Sequence, residues 1–307
     1  MRGRGAQLVA AVTLIALALA ARGAGAIDID AHWEYSNPAA SEAKFRALLG
    51  QAQGDPRLEL QTQIARTWSL RRDFARAHAL LDEVEPQLAT AGPAPRVRYL
   101  LERGRIYNSA GEPARARPLF ERAFALASEA RLEGLAVDAA HMVAITWSGK
   151  PEAIEWNQRG LALARPSTDA KARGLIPAML NNTAWDLSDM GRHGEALPLF
   201  EESLAAWRDR GRPAQVRFAE YSIGRCLRLL GRHGEALAIQ RRLEAQHAAA
   251  GEPSGYVFEE LAELLAAEGK EEEARPYFRR AADELSREKW LVANEPQRLA
   301  RLRERGS

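Results

Sequence analysis

The sequence predicts an all-α fold, a solenoid of about six stacked helical hairpins with a capping helix at each end. Three observations carry this. The heptapeptide Gly-Arg-His-Gly-Glu-Ala-Leu occurs twice, at Gly191–Leu197 and Gly231–Leu237, offset by 40 residues. Ala77, Ala116, Ala153, Ala196, Ala236 and Ala274 recur at spacings of 39, 37, 43, 40 and 38. A period of this length marks units that bury their apolar faces only against one another. No run of alternating β-branched residues predicts a strand.

Within each unit the slots have a physical logic. Two helices pack closely only where small side chains let the backbones approach, at interaxial distances of ~8–10 Å. Gly104 and Ala184 serve this purpose on first helices, and Ala116 and Ala196 on second helices. Phe120, Phe200 and Phe278 fill the wedge between them. Gly111, Gly191, Gly231 and Gly269 each follow an apolar run, where a left-handed C-terminal cap wants glycine. Breakers separate the units at Gly92–Pro95, Arg165–Ser167, Gly211–Pro213 and Gly251–Ser254.

The fullest register is Leu100, Gly104, Tyr107, Gly111, Ala116, Phe120 and Ala123. It recurs as Leu180, Ala184, Leu187, Gly191, Ala196, Phe200 and Ser203, and again from Ala262 through Gly269 to Ala281. This pattern resembles the tetratricopeptide repeat, from about Leu58 to Leu285. The resemblance implies a right-handed α-solenoid with first helices lining a concave groove. Three units depart from the pattern. Arg72 stands at a turn-glycine position, Gln240 replaces a second-helix aromatic, and the turn at Gly149–Ala153 reads as shortened. Every spacing also exceeds the usual ~34 residues.

Residues 1–26 read as a secretory signal peptide. Arg2 and Arg4 precede an uncharged run, Ala6–Ala21, and Ala24-Gly25-Ala26 has the small-x-small cleavage pattern. The run of 16 residues is shorter than the ~20 of a membrane span. Cleavage before Ile27 predicts a periplasmic or secreted protein; an uncleaved segment predicts a tether to the inner membrane. Residues 27–57 then form an N-terminal segment with a capping helix from about Ser41 to Gly50, and 58–286 form the solenoid. Residues 287–307 form a C-terminal capping helix started by Asn294 as N-cap and Pro296, with Trp290-Leu291 docking it.

Charge and chemistry narrow the function. Beyond residue 26 the chain holds 40 basic and 41 acidic residues, so the basic excess a phosphate-binding face needs is missing. Arg and Glu interleave as on solvated helix faces. Cys226, the sole cysteine, falls between Gly224 and Leu227 on a first helix and reads as a small buried apolar residue, not a reactive thiol. His193 and His233 recur as turn residues without further ligands at metal spacing, and His141 lies in an apolar run as a hydrogen-bonded His. Glu201-Glu202 and Glu259-Glu260 are sequence neighbours and point apart on a helix. Asn181-Asn182-Thr183 fits a glycosylation acceptor but falls inside a predicted helix. No catalytic residue, cofactor or metal site is expected, and neither nucleic acid nor a small-molecule substrate.

The resemblance places Arg66, Arg105, Trp185 and Arg225 in the slot that faces the groove. Asn181 and Tyr221 lie one turn before it, and Asn108 and Arg228 three residues beyond. In such grooves basic and amide side chains hold the carboxylates and backbone of a partner's segment. The expected function is a non-enzymatic protein-interaction scaffold of the bacterial cell envelope, binding a peptide or helix of an envelope or secreted protein. The alternative is a structural or self-associating repeat protein without a peptide groove.

Overall fold

Helices here are built in pairs because a small residue on one lets a large residue on the other reach the shared axis. A computed structural model describes residues 27–307. The predicted signal peptide lies outside them. The described residues are helical with no strand, and none of their helices is long and apolar enough to cross a membrane. Two units divide at Ala130 and Arg131.

In the first unit, helix α1 spans Pro38–Leu49, α2 Gly54–Leu70, α3 Phe74–Val84, α4 Pro93–Ser109 and α5 Pro113–Glu129. The capping helix starts three residues earlier than its expected Ser41, because the Asn37 side chain caps it, accepting from the Ala40 N–H at 3.1 Å. Phe45 is its fully buried contact, set edge-on to Trp33 at 5.1 Å. Helices α2/α3 and α4/α5 form the two hairpins, and α2 lies beside α4. Arg72 takes the left-handed conformation of a turn glycine, at φ 63°, and Gly111 takes the same conformation at φ 87°. The turn therefore survives the loss of its glycine, with an arginine held in a backbone conformation L side chains rarely adopt.

In the second unit, α6 spans Glu133–Thr146, α7 Pro151–Ala164, α8 Ala170–Gly174, α9 Ile176–Asp189, α10 His193–Asp209, α11 Pro213–Leu229 and α12 His233–Ala250. Helices α13 (Gly255–Ala267), α14 (Glu271–Leu285), α15 (Lys289–Asn294) and α16 (Pro296–Gly306) complete it. The hairpins are α6/α7, α9/α10, α11/α12 and α13/α14, with α16 packed on α14. The expected short turn at Gly149 is corrected: Trp147–Lys150 is a longer turn than Ala110–Glu112. The compression lies in the helices, since α6 and α7 have 14 residues each against 17 in α4 and α5.

The C-terminal cap differs in two details. Asn294 ends α15, donating from its side chain to the Trp290 carbonyl at 2.8 Å, and Glu295 takes the N-cap position of α16. Leu291 is the docking residue, fully buried with Leu299 and Leu302, whereas Trp290 turns outward at 64 % exposure.

Packing follows the periodic slots. Ala77, Ala116, Ala153, Ala196, Ala236 and Ala274 are all fully buried, as are Phe120 and Phe278, with Phe200 nearly so. A Cβ on Gly104 would meet the Phe120 ring at 2.5 Å. Its glycine thus exists for close approach, despite lowering helix propensity. Gly224 and Gln240 repeat this pair with an amide in place of the ring. Gln240 is 0 % exposed, and neither its amide nitrogen nor its oxygen has a hydrogen-bond partner among the described residues. Cys226 is buried, its thiol donating to the His193 carbonyl at 3.3 Å. Burial also pushes its pKa up, away from the reactive thiolate.

Gly104→Ala is expected to lower the unfolding free energy by about 1–3 kcal/mol through overpacking, even though alanine is the better helix former. Gln240→Leu is expected to raise it by about 1–3 kcal/mol by removing an unsatisfied buried amide. Urea unfolding of both variants against the unaltered chain measures these opposite signs.

Candidate functional site

First helices carry most of the charged side chains that sequence register aims at the groove, and their partners lie within the chain. In the first unit, Glu102 on α4 is buried and receives two guanidiniums. Arg105 donates to it at 2.6 Å, and Arg66 of α2 lies 3.6 Å away. Arg66 also stacks over the Trp33 and Tyr35 rings, at 5.2 and 5.3 Å. Asn108 stands half-buried one turn further along α4.

The second unit repeats the device. Glu260 on α13 is buried and accepts a bidentate pair from Arg228 of α11, at 2.7 and 3.0 Å, with Arg225 3.8 Å away. Burial works against the Arg228 charge, but the Glu260 carboxylate outweighs it and raises the guanidinium pKa. Both clamps therefore spend arginines on an internal carboxylate rather than leaving them to a partner's. Charge reversal at Arg105 or Arg225 would set acid against buried acid, so it disturbs the fold as well as the surface.

Asn181, Trp185, Tyr221 and Arg225 converge on one groove of about 990 Å³ in the second unit. It runs across α6, α9, α11 and α13, with α7 and the C-terminal helices contributing at its edges. Its floor is aromatic. The rings of Trp185, Phe218 and Tyr221 lie within 6.4–6.5 Å of each other with planes 25–27° apart, and Tyr256 meets Tyr221 edge-on at 6.2 Å. Phe218 is 51 % exposed, and Trp290 lies at the margin. Tyr221 is buried, and burial followed by the charge of Glu260 pushes its phenol pKa up, so the ring is held neutral. Tyr256 is pushed up to about 12 by burial and by donating to Glu288 at 2.9 Å.

Polar atoms at this floor lack partners. Asn181 is 9 % exposed and Asn157 only 1 %, and the side-chain oxygen of each accepts no hydrogen bond from the described residues. The Trp185 indole N–H and the Arg225 Nε–H are likewise buried and unpaired. Such groups are costly to leave unmade. Asn182 is satisfied, paired with the His141 ring at 3.0 Å. Asp186 accepts from the Gly149 N–H at 2.8 Å and from Ser148. Burial first, and then the charge of Asp189, raises its pKa, and these two donors hold it down. Among the described residues no group of three or more His, Cys, Asp and Glu is placed to hold a metal ion.

Register identified the residues of α9 and α11 that meet here, Asn181, Trp185, Tyr221 and Arg225, but missed Phe218, Tyr256 and Asn157. Phe218 and Tyr256 occupy one equivalent slot 38 residues apart, one turn before Tyr221 and Glu259, so the repeat itself holds that signal. Asn157 sits on a second helix, where no sequence register points at a groove.

The tetratricopeptide-repeat family profile matches residues 175–246. No curated protein matches the chain in sequence. Solved structures do match in fold. The apo form of RapI shares 15 % identity at a TM-score of 0.66, covering 85 % of this chain and 74 % of RapI. NprR in complex with its cognate peptide NprX shares 16 % identity at 0.58, covering 84 % and 77 %. A Rap protein complexed with Competence and Sporulation Factor shares 16 % identity at 0.58, covering 90 % and 76 %.

Glu260→Gln is expected to cost about 3–5 kcal/mol of stability, because it leaves Arg225 and Arg228 without their buried anion. The exposed control Glu201→Gln is expected to stay within about 0.5 kcal/mol. Urea titrations of the two variants side by side check the difference.

Proposed function

Because the chain is a tetratricopeptide-repeat protein, we propose that it is a non-enzymatic interaction scaffold whose second unit holds a segment of another protein in the Trp185–Tyr221 groove, and that it works in the bacterial cell envelope after export. The observation that carries the first part is the unmet polarity of that groove. Exposed aromatic area lies beside buried donors and acceptors that have no partner among the described residues. Aromatic anchors of this kind dominate the binding energy of protein interfaces. NprR with its cognate peptide NprX, and the Rap protein with Competence and Sporulation Factor, have the same fold, which supports a bound segment here.

Export is supported by the composition of residues 1–26, with its basic start, apolar run and small-residue cleavage pattern. The near balance of charge beyond residue 26 supports a protein partner over a nucleic acid.

A photo-crosslinking amino acid placed at Phe218 in intact cells is expected to capture another polypeptide, and the same group at exposed Glu201 is expected to capture none. Fractionation of those cells is expected to find the chain outside the cytoplasm, beginning at Ile27. Adducts of the chain only with itself, or equal capture from both positions, would refute the groove. Recovery in the cytoplasm would refute export.

A further inference from the structure

The unpaired atoms of the groove are of both kinds. Asn157 and Asn181 offer acceptors, and the Trp185 indole and Arg225 Nε offer donors. One ligand feature supplies both repeatedly, a peptide backbone with a free N–H and a free C=O at each residue. A helix spends those groups on itself, and only an extended segment presents them. The dimensions agree with a short one. The groove crosses four first helices, hence three steps of ~8–10 Å, which about eight extended residues at ~3.3 Å each span.

Charge selects further. Every arginine lining the groove has a carboxylate within the chain: Arg225 has Glu260 at 3.8 Å, Arg217 has Glu252 at 3.8 Å, and Arg298 has Glu259 at 2.6 Å and Glu295 at 2.9 Å. The lining carboxylates of α9 are not matched in this way. Asp186 accepts only from Gly149 and Ser148, and exposed Asp189 has no ion pair among the described residues. Arg225 shares Glu260 with Arg228 and stands 3.8 Å from it, whereas Asp189 has no ion pair among the described residues, so the lining carboxylate left without a counter-charge is that of Asp189.

Resting on the reading of this groove as a peptide site, we propose that it takes an extended segment of about eight residues, with large apolar or aromatic side chains on the Trp185–Phe218–Tyr221–Tyr256 floor and a cationic group against Asp189. The amide oxygens of Asn157 and Asn181 accept from its backbone, and the Trp185 indole donates to it. The same backbone-directed groups select against helices, and the Asp189 carboxylate selects against acidic segments.

The test is an array of end-blocked octapeptides in which aromatic, Lys/Arg and Asp/Glu contents vary independently, read with the purified full chain. Fluorescence anisotropy then follows on the tightest binder. Lys- or Arg-bearing aromatic octapeptides are expected to bind at least tenfold more tightly than their Asp/Glu counterparts, and an i,i+4-stapled helical form is expected to lose binding. Asp189→Asn is expected to erase most of the cation preference, and Asn181→Leu to weaken all octapeptides alike. Asp189 is exposed, so that variant folds even if Asn181→Leu does not. Binding of acidic or stapled peptides equal to the cationic extended ones overturns the proposal while leaving a peptide groove standing. Absence of binding by every octapeptide overturns both.

Discussion

Everything in this chain depends on two backbones being allowed to come close. Where Gly104 faces Phe120, a single added methyl would meet the ring at 2.5 Å, and the six periodic alanines are buried completely. Close approach sets the interaxial distance of each hairpin, and that distance fixes where the next first helix lies. The groove of the second unit is a consequence, since its floor consists of side chains reaching between first helices held at that spacing.

The constraint also explains how charge is handled. First helices stand near enough for an arginine of one to reach a glutamate of the next, and the same clamp forms at Glu102 and at Glu260. A buried carboxylate with two guanidiniums loses far more when broken than it contributes when intact. It thus works as a register lock between neighbouring hairpins, and it removes those arginines from the supply available to an acidic partner. Gln240 is the counter-example, a slot where the repeat keeps its volume but not its polarity match.

Legibility in sequence followed the range of the interaction. The hairpins, the turn glycines and the aromatic wedges were readable because each depends on residues within one repeat, and Arg72 shows that even a turn without glycine keeps its left-handed backbone. The cap at Asn294 and the outward face of Trp290 were misread, because an Asn-x-Pro start and an apolar pair are equally consistent with the neighbouring short helix, α15. For the groove, register picked Asn181, Trp185, Tyr221 and Arg225 from slots one helical turn apart. It had no access to Asn157, which arrives from a second helix.

Taken alone, the amino-acid order determined which face of each helix is buried, since periodicity of small and large residues is a local property that survives any global arrangement. The pairing of charges was decided only in three dimensions. Arg66, Arg225 and Arg228 look like ligands for a partner's carboxylate until the neighbouring helix delivers Glu102 or Glu260. Whether a guanidinium is free depends on a residue about one repeat away, and electrostatic satisfaction is set by distance in space, not along the chain.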